Sequence, residues 1–224
     1  MKKQFMEKHF WKTAACLGLM AVTLAGSNKI TAEAHTAHIM GELKTENGVQ
    51  YLYSEGQKVI NDFVFDGTYT YYAQADGTPM KDRLTYHPDG EHIIYFDENG
   101  HEVFNKFQYC EAVGYTCYFD SQGYIYKDQI TFVDSVPYYL NANGKMEDAG
   151  WFQFANGMDY GFANADGSLK NGGFTYDPWG RVVFYNWNGV VARGIISDGA
   201  YFYNMDFYDG HFLDGFPIGD QSPI

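Results

Sequence analysis

The sequence predicts an all-β protein, a solenoid of stacked β-hairpin repeats of ~22 residues each. Three observations predict it. A turn glycine recurs at Gly56, Gly77, Gly100, Gly123, Gly144, Gly167, Gly189 and Gly210. Aromatic or apolar residues hold fixed places before and after each of these glycines. Outside the N-terminal segment, no apolar stretch repeats at the helical period of 3.6.

Residues 1–34 read as an export signal. Lys2, Lys3, Lys8 and Lys12 make a basic start, Thr13 to Gly26 is apolar or small, and Ala32-Glu33-Ala34 offers a small-x-small cleavage site. The apolar run is short for a bilayer span, so no membrane anchor is expected. Ser27 stands where a lipoprotein needs cysteine, and no sortase-type LPxTG motif follows the repeats. The expectation is an exported chain beginning near His35, neither lipidated nor covalently anchored. Residues 35–46 are expected as a flexible N-terminal segment, 47–215 as the repeat array and 216–224 as a C-terminal tail. His35 and His38 fall in the flexible segment and are read as no metal site.

Export would remove five Lys and two Glu, taking the net charge from −13 to −16. Such an anion disfavours nucleic acid and acidic membranes and favours a neutral or cationic polymer. The same acidity also keeps an aromatic-rich surface soluble. Aromatic residues are as abundant as charged ones, 19% each, so the fold must order many rings without one large aliphatic core.

Within the array, five residues before each turn glycine stand Tyr51, Tyr72, Tyr95, Tyr118, Tyr139, Phe162, Phe184 and Met205. Seven residues after it stand Phe63, Leu84, Phe107, Ile130, Trp151, Phe174 and Ile196. A second turn lies beyond this station, at Asp66-Gly67, Asp89-Gly90, Val113-Gly114, Asp134-Ser135, Asn156-Gly157, Trp179-Gly180 and Asp198-Gly199. Asp or Asn precedes six of the eight turn glycines, which suggests turns with φ > 0 at both central positions. The pattern gives seven hairpins preceded by a half unit around Val49 to Tyr53. One hairpin is marginal in water, so the aromatic stripes must bury against neighbouring hairpins.

Cys16 would leave with the signal. Cys110 and Cys117 flank an expected hairpin turn, and both a cross-strand disulfide and two free thiols fit that spacing. The chain has no Gly-x-Ser-x-Gly elbow, no His-Glu-x-x-His and no phosphate-binding glycine loop. Its acids sit mainly on turns rather than as a pair across a cleft. No enzyme activity, cofactor or metal is expected.

Tyr138-Tyr139-Leu140-Asn141-Ala142-Asn143-Gly144-Lys145-Met146, followed by Gly150-Trp151-Phe152, closely resembles the choline-binding and glucan-binding repeat superfamily. Asn164-Ala165-Asp166-Gly167-Ser168-Leu169 and Phe96-Asp97-Glu98-Asn99-Gly100 resemble it too, and the likeness spans residues 47–215. The resemblance implies a hairpin superhelix attached to choline-bearing teichoic acids, α-glucans or other surface glycans. It also implies a cage built from two Trp stations per repeat, and here most stations carry no Trp: Leu84 and Ile130 at the first, Thr70, Thr116 and Pro137 at the second. Trp151 and Tyr160 depart least from the pattern. With Phe174, Tyr176 and Trp179 from the next unit they are the expected ligand residues, and Asn156, Asp159 and Asn171 are the expected polar rim. The functional expectation is a secreted, non-catalytic protein, located at the cell surface or wall, that binds a cell-wall polymer or extracellular glycan. The alternatives are a structural or protein-interaction module without a glycan site, and choline or teichoic-acid binding.

Overall fold

A computed structural model describes residues 39–219. The signal at 1–34, His35, His38 and the end of the tail lie outside the described residues. Seven antiparallel hairpins follow one another along the chain. They pair Asp62–Phe65 with Thr70–Ala73, Arg83–Tyr86 with Ile93–Phe96, and Lys106–Cys110 with Tyr115–Phe119. Next come Gln129–Val133 with Val136–Leu140, Gly150–Gln153 with Tyr160–Ala163, Gly173–Tyr176 with Val182–Tyr185, and Gly194–Ser197 with Tyr201–Met205. No helix occurs among the described residues. The chain is an all-β hairpin repeat.

The two residue series legible in the sequence face each other across each hairpin. Phe63 pairs with Tyr72, Leu84 with Tyr95, Phe107 with Tyr118, Ile130 with Tyr139, Trp151 with Phe162 and Phe174 with Phe184. Cross-strand pairs of this kind stabilise a sheet by direct ring packing. The seventh hairpin slips, placing Ile196 opposite Tyr203 and Met205 opposite Gly194.

Stacking has a backbone component. After five of the turn glycines the chain returns along its own hairpin, and the residue two beyond the glycine donates its N–H to the preceding hairpin; Pro79, in the same place after Gly77, has no N–H to give. Glu102 donates to Thr70, Ile125 to Ile93, Met146 to Thr116, Leu169 to Pro137 and Val191 to Tyr160, each at 2.8–2.9 Å. The short strand edges that would face water are thereby paired. The described residues divide into two compact units, 39–127 with 142–146, and 128–141 with 147–219. Each is a run of hairpins with several small buried clusters, such as Tyr95, Val103, Cys110, Cys117 and Phe119 in one and Val183, Tyr185 and Val191 in the other.

Four expectations change. Residues 39–46 are not a flexible segment: Ile39–Met40 lies parallel to Val64 and Phe65, and Glu42–Glu46 pairs with Val49–Ser54. Asn47-Gly48 makes this possible, with φ of 51° and 82° closing a two-residue turn. The half unit is thus a three-stranded sheet that also includes Gln57–Lys58. At the other end, Phe216 and Pro217 belong to the strand Phe212–Pro217 rather than to a tail.

The turn chemistry also differs. At Asp76-Gly77, Asn99-Gly100, Asn143-Gly144, Asp166-Gly167, Asn188-Gly189 and Asp209-Gly210 only the glycine has positive φ. Asp76, Asp166, Asn188 and Asp209 serve instead as side-chain acceptors. Asp76 caps the N–H of Thr78 at 2.9 Å, Asp166 that of Ser168 at 3.0 Å, and Asn188 that of Val190 at 3.2 Å. An Asx cap of this kind needs no left-handed backbone.

Cys110 and Cys117 are free, buried thiols. Their register is diagonal, Cys110 lying opposite Tyr115 and Cys117 opposite Gln108. The sulfurs share a hydrogen bond, and that bond together with burial holds the Cys110 thiol well above its ordinary range.

Candidate glycan site

The fifth and sixth hairpins bring three of the expected residues together. Trp151 and Tyr160, at opposite ends of the fifth hairpin's two strands, have ring centroids 5.6 Å apart and planes 20° from parallel. Trp179, from the turn of the sixth hairpin, meets Trp151 edge-on at 5.8 Å and 81°. Tyr185 closes the rear at 6.5 Å from Trp151. The result is an aromatic corner, with two walls at a right angle. Trp179 is 65% exposed, so its outer surface is open to a ligand.

Polar bonds hold this corner. The buried Asp177 accepts the N–H groups of Trp179 at 2.9 Å and Arg181 at 2.8 Å, and pairs with the Arg181 guanidinium at 2.7 Å. Arg181 also binds Asp209 at 2.6 Å and lies 5.3 Å from the Trp179 ring centre. Gln153 donates to the Tyr160 hydroxyl at 3.3 Å and to the Gly157 carbonyl at 2.7 Å. Asp177→Asn keeps both backbone bonds but removes the charge facing Arg181. It is expected to cost about 1–2 kcal/mol, read by urea denaturation, and to loosen Trp179, read as a red-shifted fluorescence maximum. An unchanged spectrum would detach Trp179 from Asp177.

The remaining expected residues lie elsewhere. Phe174 packs against Phe184 at 4.9 Å and Tyr203 at 4.8 Å, away from the corner, because its strand partner and the seventh hairpin take its two sides. Tyr176 is 57% exposed at the end of its strand, opposite Val182. Asn156 binds Asp159 at 2.7 Å and Arg193 pairs with Asp159, so these polar groups satisfy one another first. Asn171 donates to the Trp187 carbonyl at 3.2 Å.

The equivalent turn of the second hairpin shows how local the corner is. Tyr176-Asp177-Pro178-Trp179-Gly180 aligns with Tyr86-His87-Pro88-Asp89-Gly90. There Asp89 binds His87 and His92, each at 2.8 Å, and His92 stacks on Tyr124 at 3.8 Å. Hydrogen bonds from Glu91, His92 and His87 hold the Asp89 carboxyl far below the usual range against its desolvation. A hydrogen-bonded carboxylate–imidazole cluster replaces the exposed indole.

Two further features were not anticipated. Asp206, Asp209 and His211 bring candidate ligand atoms within 4.8 Å of one another, but Asp209 is already neutralised by Arg181 and bonded to His211 at 2.6 Å. Glu102 is 6% exposed, and neither of its carboxyl oxygens has a hydrogen-bond partner among the described residues. The positions two beyond the other turn glycines read Lys58, Pro79, Ile125, Met146, Leu169, Val191 and Phe212, so a charge in a column apolar at every other position after Lys58 was the available signal.

No family model matches the chain, and no curated protein matches it by sequence. Solved structures do match. Choline binding protein F from Streptococcus pneumoniae is 22% identical with a TM-score of 0.56, covering 77% of this chain and 57% of that one. The same protein in the presence of a peptidoglycan analogue matches at 21% identity and a TM-score of 0.56, with the same coverage. CbpJ from Streptococcus pneumoniae is 15% identical with a TM-score of 0.52, covering 78% of this chain and 72% of that one. The chain spans little more than half the length of choline binding protein F. It has the hairpin-repeat fold of these choline-binding proteins.

Proposed function

We propose that this protein is a secreted, non-catalytic binder of a cell-wall polymer or another extracellular glycan, held at the cell surface by noncovalent contacts. The aromatic corner of Trp151, Tyr160 and Trp179 is the observation that carries this reading. Sugar rings present C–H faces that pack on indole and phenol, while their hydroxyls seek the polar rim. The fold shared with choline-binding proteins supports it, and so does the −16 charge expected after export, which disfavours nucleic acid. A polymer repeats, so weak corners arrayed on many molecules at a wall gain avidity.

A quaternary ammonium ligand is the second reading, favoured by the same rings. A cation held between two faces needs them about 7 Å apart or more, twice an aromatic contact distance. Trp151 and Tyr160 stack at 5.6 Å, and Arg181 already attends Trp179. A sugar lying across the corner fits this geometry better than an enclosed ammonium.

The test is cosedimentation of the mature protein with purified cell walls and with insoluble α-glucan, with and without choline as competitor. Trp151→Ala with Tyr160→Ala is expected to lower the bound fraction at least about tenfold. Release by choline would transfer the assignment to the second reading. Equal sedimentation of variant and wild type would remove the corner from the binding account.

A further inference from the structure

A second feature of the unit containing residues 147–219 lies apart from Trp151, Tyr160 and Trp179. A cleft of about 370 Å³ opens beside the sixth hairpin, lined by Asn164, Ser168, Lys170, Asn171 and Thr175 among others. Lys170 is its one charged lining residue, and no carboxylate lines it. That is unusual in a chain with 28 acids against 15 Lys and Arg. The nearest acid of the adjoining turn, Asp166, spends its carboxylate on the N–H and hydroxyl of Ser168 at 3.0 and 2.6 Å. The Lys170 ammonium stands 3.9 Å from the Phe162 ring centre, held by a π face rather than a counter-ion. Gly172 and Gly173 leave the approach open, since an added Cβ at either would meet nothing within 4 Å.

An exposed aromatic platform adjoins this cleft. Trp187 is 71% exposed and stacks on Phe132, itself 41% exposed, at 5.3 Å and 20°. Asn171 ties the two features together through its bond to the Trp187 carbonyl. The repeat does not require an indole at this turn position. Its counterparts are Ser54, Ala75, Glu98, Ser121, Ala142, Ala165 and Tyr208, so an aromatic ring stands here only in the last two repeats. Nor does packing explain it, since most of the ring faces water. The outer face of Trp187, stacked on Phe132 and set beside amide, hydroxyl and ammonium groups, forms a surface for one face of a pyranose.

We propose that the Trp187–Phe132 platform and the Lys170 cleft form a second glycan subsite, one that takes a saccharide bearing an acidic group. One sugar lies on the outer face of Trp187, which Phe132 backs, and its carboxylate or phosphate reaches Lys170, with Asn171 and Thr175 meeting hydroxyls. This deepens the glycan-binding reading and rests on it; of the corner it shares only Tyr185, which lines the cleft, and it uses none of Trp151, Tyr160 and Trp179.

Isothermal titration of the full mature chain tests it with three probes: trigalacturonic acid, its methyl ester, and a phosphorylated maltotriose. One acidic probe is expected to bind about tenfold tighter than the uncharged ester, and the preferred acid identifies the source of the charge. Lys170→Gln should erase that preference, and Trp187→Ala, which installs the residue three other repeats carry there, should weaken all binding about tenfold. Trp151→Ala with Tyr160→Ala should leave these affinities unchanged. Equal binding of acid and ester, wild-type affinity in both Lys170→Gln and Trp187→Ala, or no binding of either acid overturns the subsite. Loss of acid binding in the Trp151 and Tyr160 variant also overturns it, while leaving the corner standing.

Discussion

Glu102→Ile is expected to stabilise the protein by about 4 kcal/mol at pH 8 and above, and by progressively less toward acid. Glu102 stands in a column that is apolar at every other position after Lys58, and its backbone already makes the stitch to Thr70 that four of those positions make to their own preceding hairpins. The side chain adds two buried oxygens without partners. Burial pushes its carboxyl up to about 8. The native state therefore keeps this proton between the ordinary carboxylate range and about pH 8, while the unfolded chain has already released it. Stability falls as pH rises through that window, by about 1.4 kcal/mol per unit, and the loss is complete above it. Isoleucine, as at Ile125, removes the titration and fills the site. Glu102→Gln separates the two gains, because its buried amide still lacks partners and costs about 1–3 kcal/mol. Its stability should be flat across the window without the full gain of isoleucine. Urea denaturation at intervals from about pH 5 to 9 reads all three proteins, and a wild-type curve parallel to that of Glu102→Gln would refute the buried charge.

At acid pH the sign reverses. Asp209 is held down to about 2 by His211 and Arg181 against its desolvation, and turn bonds lower Asp66, Asp166 and Asp198. Their contribution is present above the ordinary carboxylate range and is lost as pH falls through the folded values. The wild type should be most stable at about pH 4–5, where these aspartates are ionised and the loss through Glu102 has barely begun.

Much of this architecture was legible because it is local and periodic. The spacing of the turn glycines identified seven hairpins, and the two aromatic series proved to be directly opposed pairs such as Phe107 and Tyr118. Less local features escaped. A second column of left-handed residues precedes the hairpins, at Asn61, Asp82, Asn105, Asp128, Gly150, Gly172 and Gly194. It mixes Asn, Asp and Gly, so no single residue type marked it, although all three tolerate that backbone. The role of Asp and Asn in the tight turns was misassigned for a related reason: a residue suited to positive φ is also a good acceptor, and the acceptor role won. In the candidate site, Trp151 and Tyr160 were visible as repeat stations and Trp179 as a turn residue. Phe174 misled because a station in register can face either a ligand or the next hairpin, and packing against Tyr203 decided it. The Phe132–Trp187 stack joins residues far apart in sequence, and no periodic pattern announces it.

Gly189→Ala tests whether the hairpins interlock as tightly as the backbone stitches imply. Gly189 has φ of +84°, so any side chain there carries the left-handed penalty of about 1–2 kcal/mol. An added Cβ would also stand 2.7 Å from the Leu169 Cβ and 2.8 Å from its Cδ1. Leu169 is 2% exposed and donates its N–H to Pro137, so it has little freedom to retreat. Overpacking of this kind adds about 1–3 kcal/mol. The expected loss is about 3–4 kcal/mol, a large share of the stability of a small domain. Gly157→Ala supplies the comparison, because φ there is +68° but nothing lies within 4 Å of the added carbon. It should lose only the backbone penalty. The difference between the two variants measures the contact between one hairpin's turn and its neighbour's return segment, the interaction that a one-dimensional array depends on. Hydrogen exchange should localise it, with faster exchange in Gly189→Ala at Leu169 and Val191, the stitching amides on either side. Equal losses in the two variants would mean that each hairpin stands largely by itself, and that the repeats adjoin without being locked.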